Sequence, residues 1–319
     1  MEIYIHIGLP KCASTFLQKK FFLLNKNDDI FYNPDEIFKL INKIDPRKRN
    51  EDRLNEIEEK LKYKLSRLNC KKLIISHEGL SGGFFNLDYE TNLKTIKRLF
   101  PNAKIILVLR FQTDLLFSIY HQMVEQGRCR YNIDYFFNKN NINKTNLLNL
   151  SSYKFSIDIE KYDYVAYLEN LFKIFDKNLH ILFFENFKKD KKLFIKNLAK
   201  YMNLDKNPND FDYVNKSLSN KSIRILIMVH KITSFLGLSI PYQKNNKYNY
   251  MDKDNLNPID VFWCWKNLVF ILRKYLEPYV KNKTDRKSLK LQKELDKIFK
   301  SKNKKLKEIF KEKLPNIYI

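Results

Sequence analysis

Cysteine is scarce in this sequence, and its few residues lie far apart. The four cysteines, Cys12, Cys70, Cys129 and Cys264, form no CxxC pair and no cluster with histidine. Structural zinc sites and disulfide frameworks need closely spaced groups, so the sequence predicts neither. A chain without a disulfide framework is typical of the reducing cytoplasm.

Long apolar runs are also lacking. The most apolar stretch, VFWCWKNLVFIL at 261–272, is interrupted by Lys266 and is too short to span a bilayer. It predicts a helix of the protein core. Met1-Glu2 leads directly into a strand-like run, without the basic and apolar regions of a signal peptide, so we expect none. We predict a cytoplasmic protein, with the inner face of the membrane as an alternative location.

Acidic residues are outnumbered by basic ones. The chain has 60 Lys and Arg against 36 Asp and Glu, a net charge of +24. Such a balance favours anionic partners: nucleotides, nucleic acids, acidic glycans or membrane surfaces. Lys and Asn are scattered along the whole chain, however, so the charge alone is weak evidence for nucleic-acid binding. The 319 residues, 44% of them apolar, suffice for one large α/β domain or two small ones.

Four short apolar runs alternate with helical patterns along the chain. The runs are IYIHIG (3–8), KLIIS (72–76), KIILVLR (104–110) and LHILFFE (179–185). Fully apolar runs of this length are typical of parallel strands covered on both faces. Residues 52–69 and 91–100 are long enough for helical crossovers. The alternation predicts an α/β fold with a central parallel sheet flanked by helices.

The remaining segments complete the predicted architecture. The Asn/Lys-rich stretches 138–150 and 244–258 predict surface loops, and residues 288–314 combine apolar residues at helical spacing with many lysines. This tail predicts an amphipathic helix packed on the domain; a helix that contacts a membrane surface or a partner is the alternative. We predict one domain over 1–319, in which 240–319 form a variable loop and a mainly helical C-terminal part.

The stretch GLPKCASTFLQ (8–18) connects the first strand-like run to a helix pattern. A loop between a parallel strand and a helix N-terminus can bind an anion through its backbone N–H groups and the helix dipole. Lys11 adds a full charge, and Ser14 and Thr15 add hydroxyl donors. The GxxxxGK[ST] pattern of a Walker A loop is absent. A plain turn with a solvated lysine is the alternative.

The stretch LVLRFQTDLLFSIYHQMVEQG (107–127) carries a second arrangement suited to phosphate. Arg110 ends a strand-like run, and Ser118 follows eight residues later on a helix pattern. A guanidinium fork matches the geometry of a phosphate group, and a serine hydroxyl can complete the contact. For Arg110 taken alone, a buried strand-end arginine in an ion pair is the alternative.

Together, in this order and spacing, the two stretches resemble the cofactor motifs of sulfotransferases that use 3′-phosphoadenosine 5′-phosphosulfate (PAPS). The first stretch follows the family pattern PKxGTTxL, with Ala13 in place of Gly and Ser14 in place of Thr; the matching residues are Pro10, Lys11, Thr15 and Leu17. Where the family has Asp-Pro after the arginine, this chain has Phe111-Gln112, so we expect the following helix to start differently.

The resemblance implies a P-loop NTPase-like sulfotransferase fold with a helical C-terminal extension. It also implies PAPS as donor, adenosine 3′,5′-bisphosphate (PAP) as product, and no metal. Arg110 and Ser118 are then expected at the 3′-phosphate. Residues 179–204 resemble the family's late strand and helix, although Asn186 follows Glu185 where the family has Asp. The residues expected at the 5′-phosphosulfate are Pro10, Lys11, Cys12, Ala13, Ser14, Thr15 and Phe16.

The stretch LIISHEGLSGG (73–83) places His77 and Glu78 at the carboxyl end of a strand-like run, where α/β ligand sites lie. Sulfuryl transfer to a hydroxyl needs a base. Some members of the resembled family use a Glu in this region and others a His; we favour Glu78 and leave His77 open. A structural loop carboxylate is the alternative. Lys11 is expected to stabilise the leaving oxygen, and His6 to be a core side chain.

We therefore predict an enzyme, a bacterial-type PAPS-dependent sulfotransferase. Resemblance to carbohydrate-active members alone implies a hydroxyl acceptor on a glycan or glycolipid. A nucleotide-dependent kinase of similar fold is an alternative, against which the missing Walker A loop weighs. A basic nucleic-acid-binding protein is another, against which the dispersed charge weighs. No nucleic-acid partner is expected, and peripheral membrane contact through the basic tail remains open.

Overall fold

The structure of the chain is a computed structural model. The structure describes residues 1–44, 53–82, 89–127, 129, 132–137, 159–208, 218–235, 261–279 and 286–319. The surface loops predicted at 138–150 and 244–258 lie outside these residues. The chain divides into two compact units, the first formed by Met1–Leu115, Glu160–Asn215 and Lys297–Ile319, the second by Leu116–Ile159 and Lys216–Asp296. The single domain over 1–319 stays a prediction.

A five-stranded parallel sheet forms the centre of the first unit, with strand order β2-β3-β1-β4-β5. Four of its strands match the predicted apolar runs. The short β2 was missed because its run of apolar side chains is only three residues long. The strands are β1 (Glu2–His6), β2 (Ile30–Tyr32), β3 (Lys72–Ser76), β4 (Lys104–Leu109) and β5 (Leu179–Phe183).

The strand order reverses at β1, and this reversal places the candidate site. The chain adds β2 and β3 on one side of β1, and β4 and β5 on the other. Ile5 of β1 lies opposite Ile75 of β3 and Ile105 of β4, and all three side chains are buried. The carboxyl ends of β3, β1 and β4 therefore lie side by side, at the position where parallel sheets bind ligands.

Within the first unit, helices connect these strands and flank the sheet, which confirms the predicted α/β class; the C-terminal part is helical, as predicted, and the remaining helices belong to the second unit. The first helix is α-helical for one turn and continues as a π-helix (Leu17–Phe22). The helices are α1 (Ser14–Phe16), α2 (Asp35–Lys43), α3 (Leu54–Ser66), α4 (Tyr89–Leu99), α5 (Gln112–Glu125), α6 (Ile133–Phe136), α7 (Tyr164–Phe175), α8 (Phe184–Lys189), α9 (Lys191–Met202), α10 (Asn220–Phe235), α11 (Val261–Ile271), α12 (Arg286–Lys302) and α13 (Lys304–Phe310).

The end of the tail packs into the first unit. Leu306 and Tyr318 are fully buried and Leu314 nearly so. The rings of Phe310 and Tyr318 lie 5.1 and 5.4 Å from the ring of Phe183 on β5. These contacts agree with a helix packed on the domain and give no support to membrane contact. Among the described helices, none combines the length and the apolar character needed to cross a membrane.

The second unit is described by its helices. The indole N–H of Trp265 on α11 donates to the carbonyl of Glu125 on α5 at 2.9 Å, and Arg273 pairs with the Glu125 carboxylate. Trp265 is buried, whereas Phe270 and Ile271 are about half exposed. The apolar stretch at 261–272 is therefore a helix, as predicted, but not one enclosed by core on every side.

Candidate active site

The loop between β1 and α1, residues 8–13, has an unusual backbone, and we refer to it as the first loop. Lys11 and Ala13 adopt left-handed conformations, with φ of 65° and 62°. Residues with a side chain rarely take such angles, and they cluster at functional sites. Ala13 ends the loop, and its carbonyl accepts the first helical hydrogen bond, from the N–H of Leu17 at 3.0 Å.

Short-range hydrogen bonds close the first loop on itself. The Ser14 hydroxyl donates to the carbonyl of Leu9 at 3.2 Å, and the Cys12 thiol donates to the carbonyl of Pro10 at 3.5 Å. Cys12 is fully buried. Burial raises the pKa of its thiol, so this side chain stays neutral and packs inside the unit.

The imidazole of His6 lies directly beneath the first loop. A Cβ atom at Gly8 would come within 2.7 Å of His6 Cε1, so only glycine leaves room for this ring. His6 is fully buried, and its Nδ1 is hydrogen-bonded to the Ser76 hydroxyl at 2.7 Å. Burial lowers the pKa of His6 to about 4, which keeps it neutral at pH 7. The predicted core position is observed, although Nε2 has no partner among the described residues.

Arg110 follows β4 and reaches across to the first loop. Its Nη1 donates to the carbonyl of Lys11 at 3.0 Å, and its Cζ lies 4.8 Å from the ring centroid of Phe184. Its buried Nε has no hydrogen-bond partner among the described residues. The sequence left open that Arg110 forms a buried ion pair. Within the described residues, Arg110 forms no ion pair.

Ser118 lies on the second turn of α5 and is buried, with 6% of its surface exposed. A joint contact of Arg110 and Ser118 with one phosphate stays a prediction.

The turn after β3 carries the two candidate bases, which have different surroundings. His77 Nε2 is hydrogen-bonded to Asn42 Oδ1 of α2 at 2.7 Å, and its ring lies 5.5 Å from that of Phe38. Glu78 starts a 3₁₀ turn (Glu78–Ser81) and is half-buried. The Ser81 hydroxyl of this turn donates to the carbonyl of Gly8 at 2.8 Å, which ties the turn to the first loop.

The charges that act on the Cys12 thiol show which side chains gather here. After burial, the main influences on its pKa are Arg110, Glu185, Glu78 and Lys11. Groups that follow β1, β3, β4 and β5 thus lie within electrostatic reach of the first loop. The structure brings Lys11, Glu78 and Arg110 together in this sense, while His77 is engaged with α2.

Sequence reasoning missed several residues that support this arrangement. The Tyr164 hydroxyl donates to the carbonyl of Arg110 at 2.7 Å, and Glu185 Oε1 accepts from the N–H of Phe111 at 2.9 Å. Ser81 is a third such residue. None of them had a local signal, because each acts on a segment far away in the sequence; only the family pattern around Glu185 could have pointed to one.

Comparisons with known proteins concern the fold. No family model matches the sequence, and no curated protein matches it. Among solved structures, a sulfotransferase from Alicyclobacillus acidocaldarius is similar with 15% identity and a TM-score of 0.44, over 76% of this chain and 94% of that chain. Mouse sulfotransferase SULT7A1, complexed with PAP, is similar with 19% identity and a TM-score of 0.36, over 93% and 83%.

A retinol dehydratase in complex with retinol and PAP is similar with 16% identity and a TM-score of 0.34, over 95% of this chain and 81% of that chain. At such identities and TM-scores, the likenesses carry no argument about the activity of this chain. The description of the fold rests on the parallel sheet and its strand order.

Proposed function

We propose that this chain is a sulfotransferase that moves the sulfuryl group of PAPS to an acceptor hydroxyl. One observation carries the proposal: the 3.0 Å hydrogen bond from Arg110 to the carbonyl of Lys11. The two motifs are expected to bind the 5′ and 3′ groups of a single nucleotide. They can do so only if they lie together, and this bond joins them although they are 99 residues apart in the sequence.

The residues present are suited to binding PAPS. No other described residue accepts a hydrogen bond from the backbone N–H groups of Ala13, Ser14 or Thr15. These donors stand where the first helix begins, a position that favours an anion. The buried Nε of Arg110 likewise has no partner in the described part of the chain. We propose that the first loop holds the 5′-phosphosulfate, and that Arg110 with Ser118 holds the 3′-phosphate.

The donor supplies an activated sulfuryl group, and two side chains of this protein perform the remaining chemistry. Lys11 stabilises the negative charge that develops on the leaving 5′-phosphate oxygen. Glu78 takes the proton of the acceptor hydroxyl. At the same time the hydroxyl oxygen of the acceptor bonds to sulfur, and the bond between sulfur and the leaving 5′-phosphate oxygen breaks. We favour Glu78 over His77 as the base, and the hydrogen bond between His77 Nε2 and Asn42 Oδ1 does not decide between them.

The acceptor class rests on resemblance to carbohydrate-active members alone. We propose a hydroxyl of a glycan or glycolipid, acted on by a bacterial-type enzyme in the cytoplasm or at the inner face of the membrane. Transfer of labelled sulfate from PAPS to panels of glycans, glycolipids and simple alcohols would identify the acceptor. Labelling of simple alcohols alone would contradict this part of the proposal.

Ligand-dependent thermal stability tests the donor. PAP should stabilise the fold more than AMP or ATP does, because it carries both phosphates that the two motifs bind. A ligand at a hundred times its dissociation constant stabilises a protein by about 2.7 kcal/mol. Equal stabilisation by AMP would show that Arg110 and Ser118 do not bind a 3′-phosphate. Preference for ATP would favour a kinase, and stabilisation by a DNA oligomer alone would favour the nucleic-acid-binding alternative.

A further inference from the structure

The connection between β4 and α5, residues 110–112, is held by side chains that come from distant parts of the chain. The Arg110 carbonyl accepts from the hydroxyl of Tyr164. The Phe111 N–H donates to Glu185 Oε1. The Gln112 amide forms a reciprocal pair with the Asn303 amide, at 2.8 and 2.9 Å, and both side chains are fully buried. Three consecutive residues are thus each fixed by a non-local hydrogen bond.

The start of α5 is the point at which the sequence departs from the family pattern, and the expected change in how the helix begins stays a prediction. Phe111 and Gln112 replace Asp-Pro, so Phe111 offers no side-chain oxygen to the first N–H groups of the helix. A helix start needs acceptors for these groups and favours negative charge. The Glu185 carboxylate, on α8, supplies an acceptor and a negative charge, since its Oε1 accepts from the Phe111 N–H.

A segment near the end of the chain holds Glu185 in turn. The Tyr318 hydroxyl donates to Glu185 Oε2 at 3.2 Å. The ring of Tyr318 is fully buried and lies 5.5 Å from that of Phe111 and 5.4 Å from that of Phe183. Because Asn303 belongs to the same segment, residues 303–318 contact the connection at two points, through Glu185 and through Gln112.

We propose that segment 303–318 positions Arg110 for the 3′-phosphate, with Tyr318 and Asn303 as positioning residues. Tyr318 acts through Glu185 on the backbone next to Arg110, and Asn303 acts through Gln112 on the residue after that. This inference rests on the proposed function, because it assigns the 3′-phosphate to Arg110. A ligand-binding side chain needs its supporting residues fixed in this manner.

Removal of one hydroxyl tests the inference. Tyr318→Phe keeps the packed ring and removes only the hydrogen bond to Glu185. PAP affinity, measured by calorimetry, should fall about three- to tenfold, the equivalent of one hydrogen bond. The affinity for AMP, which lacks the 3′-phosphate, should stay within about twofold.

The chain offers a matched control and a conservative rescue. Tyr167 is also buried in the first unit, but its hydroxyl has no hydrogen-bond partner among the described residues. Tyr167→Phe should therefore leave both affinities unchanged. Glu185→Ala should weaken PAP binding more than Tyr318→Phe does, and Glu185→Gln should restore most of the loss, because its amide oxygen can still accept from the Phe111 N–H.

Each outcome separates this inference from the proposed function. If the unaltered protein binds PAP no better than AMP, the 3′-phosphate assignment is wrong, and the inference is overturned with it. If the protein prefers PAP and Tyr318→Phe keeps that preference in full, the inference alone is overturned. A Tyr318→Phe variant that loses affinity equally for both ligands would show a structural role only, and would overturn it as well.

Discussion

The first loop and the connection 110–112 lie at neighbouring strand ends but are built in opposite ways. At the first loop, Ser14 of α1 bonds to Leu9 and Cys12 bonds to Pro10, partners five and two residues away. The partners of residues 110–112 are Tyr164, Glu185 and Asn303, which lie 54, 74 and 191 residues away. The proposed nucleotide site thus combines a part whose contacts are local with a part that exists only once the chain has folded.

The turn after β3 should give the largest effect, because it acts on the chemistry at the first loop. Glu78→Gln keeps the shape of the side chain and removes its basicity. Turnover should fall about 10²–10⁴-fold, the usual contribution of a positioned base, while PAP affinity stays nearly unchanged. Steady-state kinetics with calorimetry measures both.

His77→Gln is the paired variant and should cost much less, since Glu78 and not His77 is the proposed base. The reverse order of effects would assign the base to His77. Two mild variants would place the base outside this turn.

Lys11→Ala removes a charge from the first loop, the part of the proposed site whose hydrogen bonds are local. Turnover should fall about 10²-fold, and PAP affinity should fall much less, because Lys11 acts mainly on charge that develops in the transition state. Lys19→Ala, which removes an exposed lysine from the helical segment that follows, is the control and should be neutral. Weaker PAP binding with normal turnover would limit Lys11 to ground-state binding.

Arg110→Ala removes a guanidinium group from the connection 110–112, the part of the proposed site that distant residues hold. PAP binding should weaken by about 1.5–3 kcal/mol, the range for hydrogen bonds to charged groups, with little change for AMP. Arg67→Ala is a suitable control, because Arg67 is exposed at the end of α3 and contacts Tyr63. Equal losses for the two ligands would make Arg110 a structural residue.

The smallest expected effect concerns His6, whose imidazole lies beneath the first loop, and the quantity it changes is the pH dependence of stability. Burial lowers the pKa of His6 from 6.5 to about 4. Between these pH values the unfolded chain binds more protons than the folded chain, so stability falls as the pH decreases. At pH 5 this amounts to about 2 kcal/mol relative to pH 7.5.

Urea unfolding of a His6→Asn variant at both pH values measures this contribution. The variant should lose about 2 kcal/mol less than the unaltered protein on acidification. His180 also has a pKa lowered to about 4, mainly by burial, and contributes in the same direction, so part of the acid sensitivity should remain. A variant with unchanged acid sensitivity would contradict the assignment to His6.

Features that depend on neighbouring residues could be predicted from the sequence more readily than contacts between distant residues. Apolar runs of five residues or more located four of the five strands; the run of β2, Ile30–Tyr32, is only three residues long and was not assigned. The loop residues around Lys11 were singled out because they form a contiguous motif in the sequence, and their role stays a prediction. Glu185, Tyr164 and Tyr318 could not be assigned roles, because their importance depends on which distant backbone group each one meets. The departure at Phe111-Gln112 predicted a different start of the helix, but not which distant residues contact it.

The pairing of Gln112 with Asn303 also has a consequence for the order of folding. A contact between residues 191 positions apart requires the closure of a very long loop, which costs conformational entropy before the contact can form. The first loop needs no such closure and can take shape as soon as β1 and α1 form. During synthesis, the start of α5 has to wait until residue 303 has left the ribosome. Until then, Arg110 lacks part of the framework that orients it, and the growing chain should bind PAP poorly.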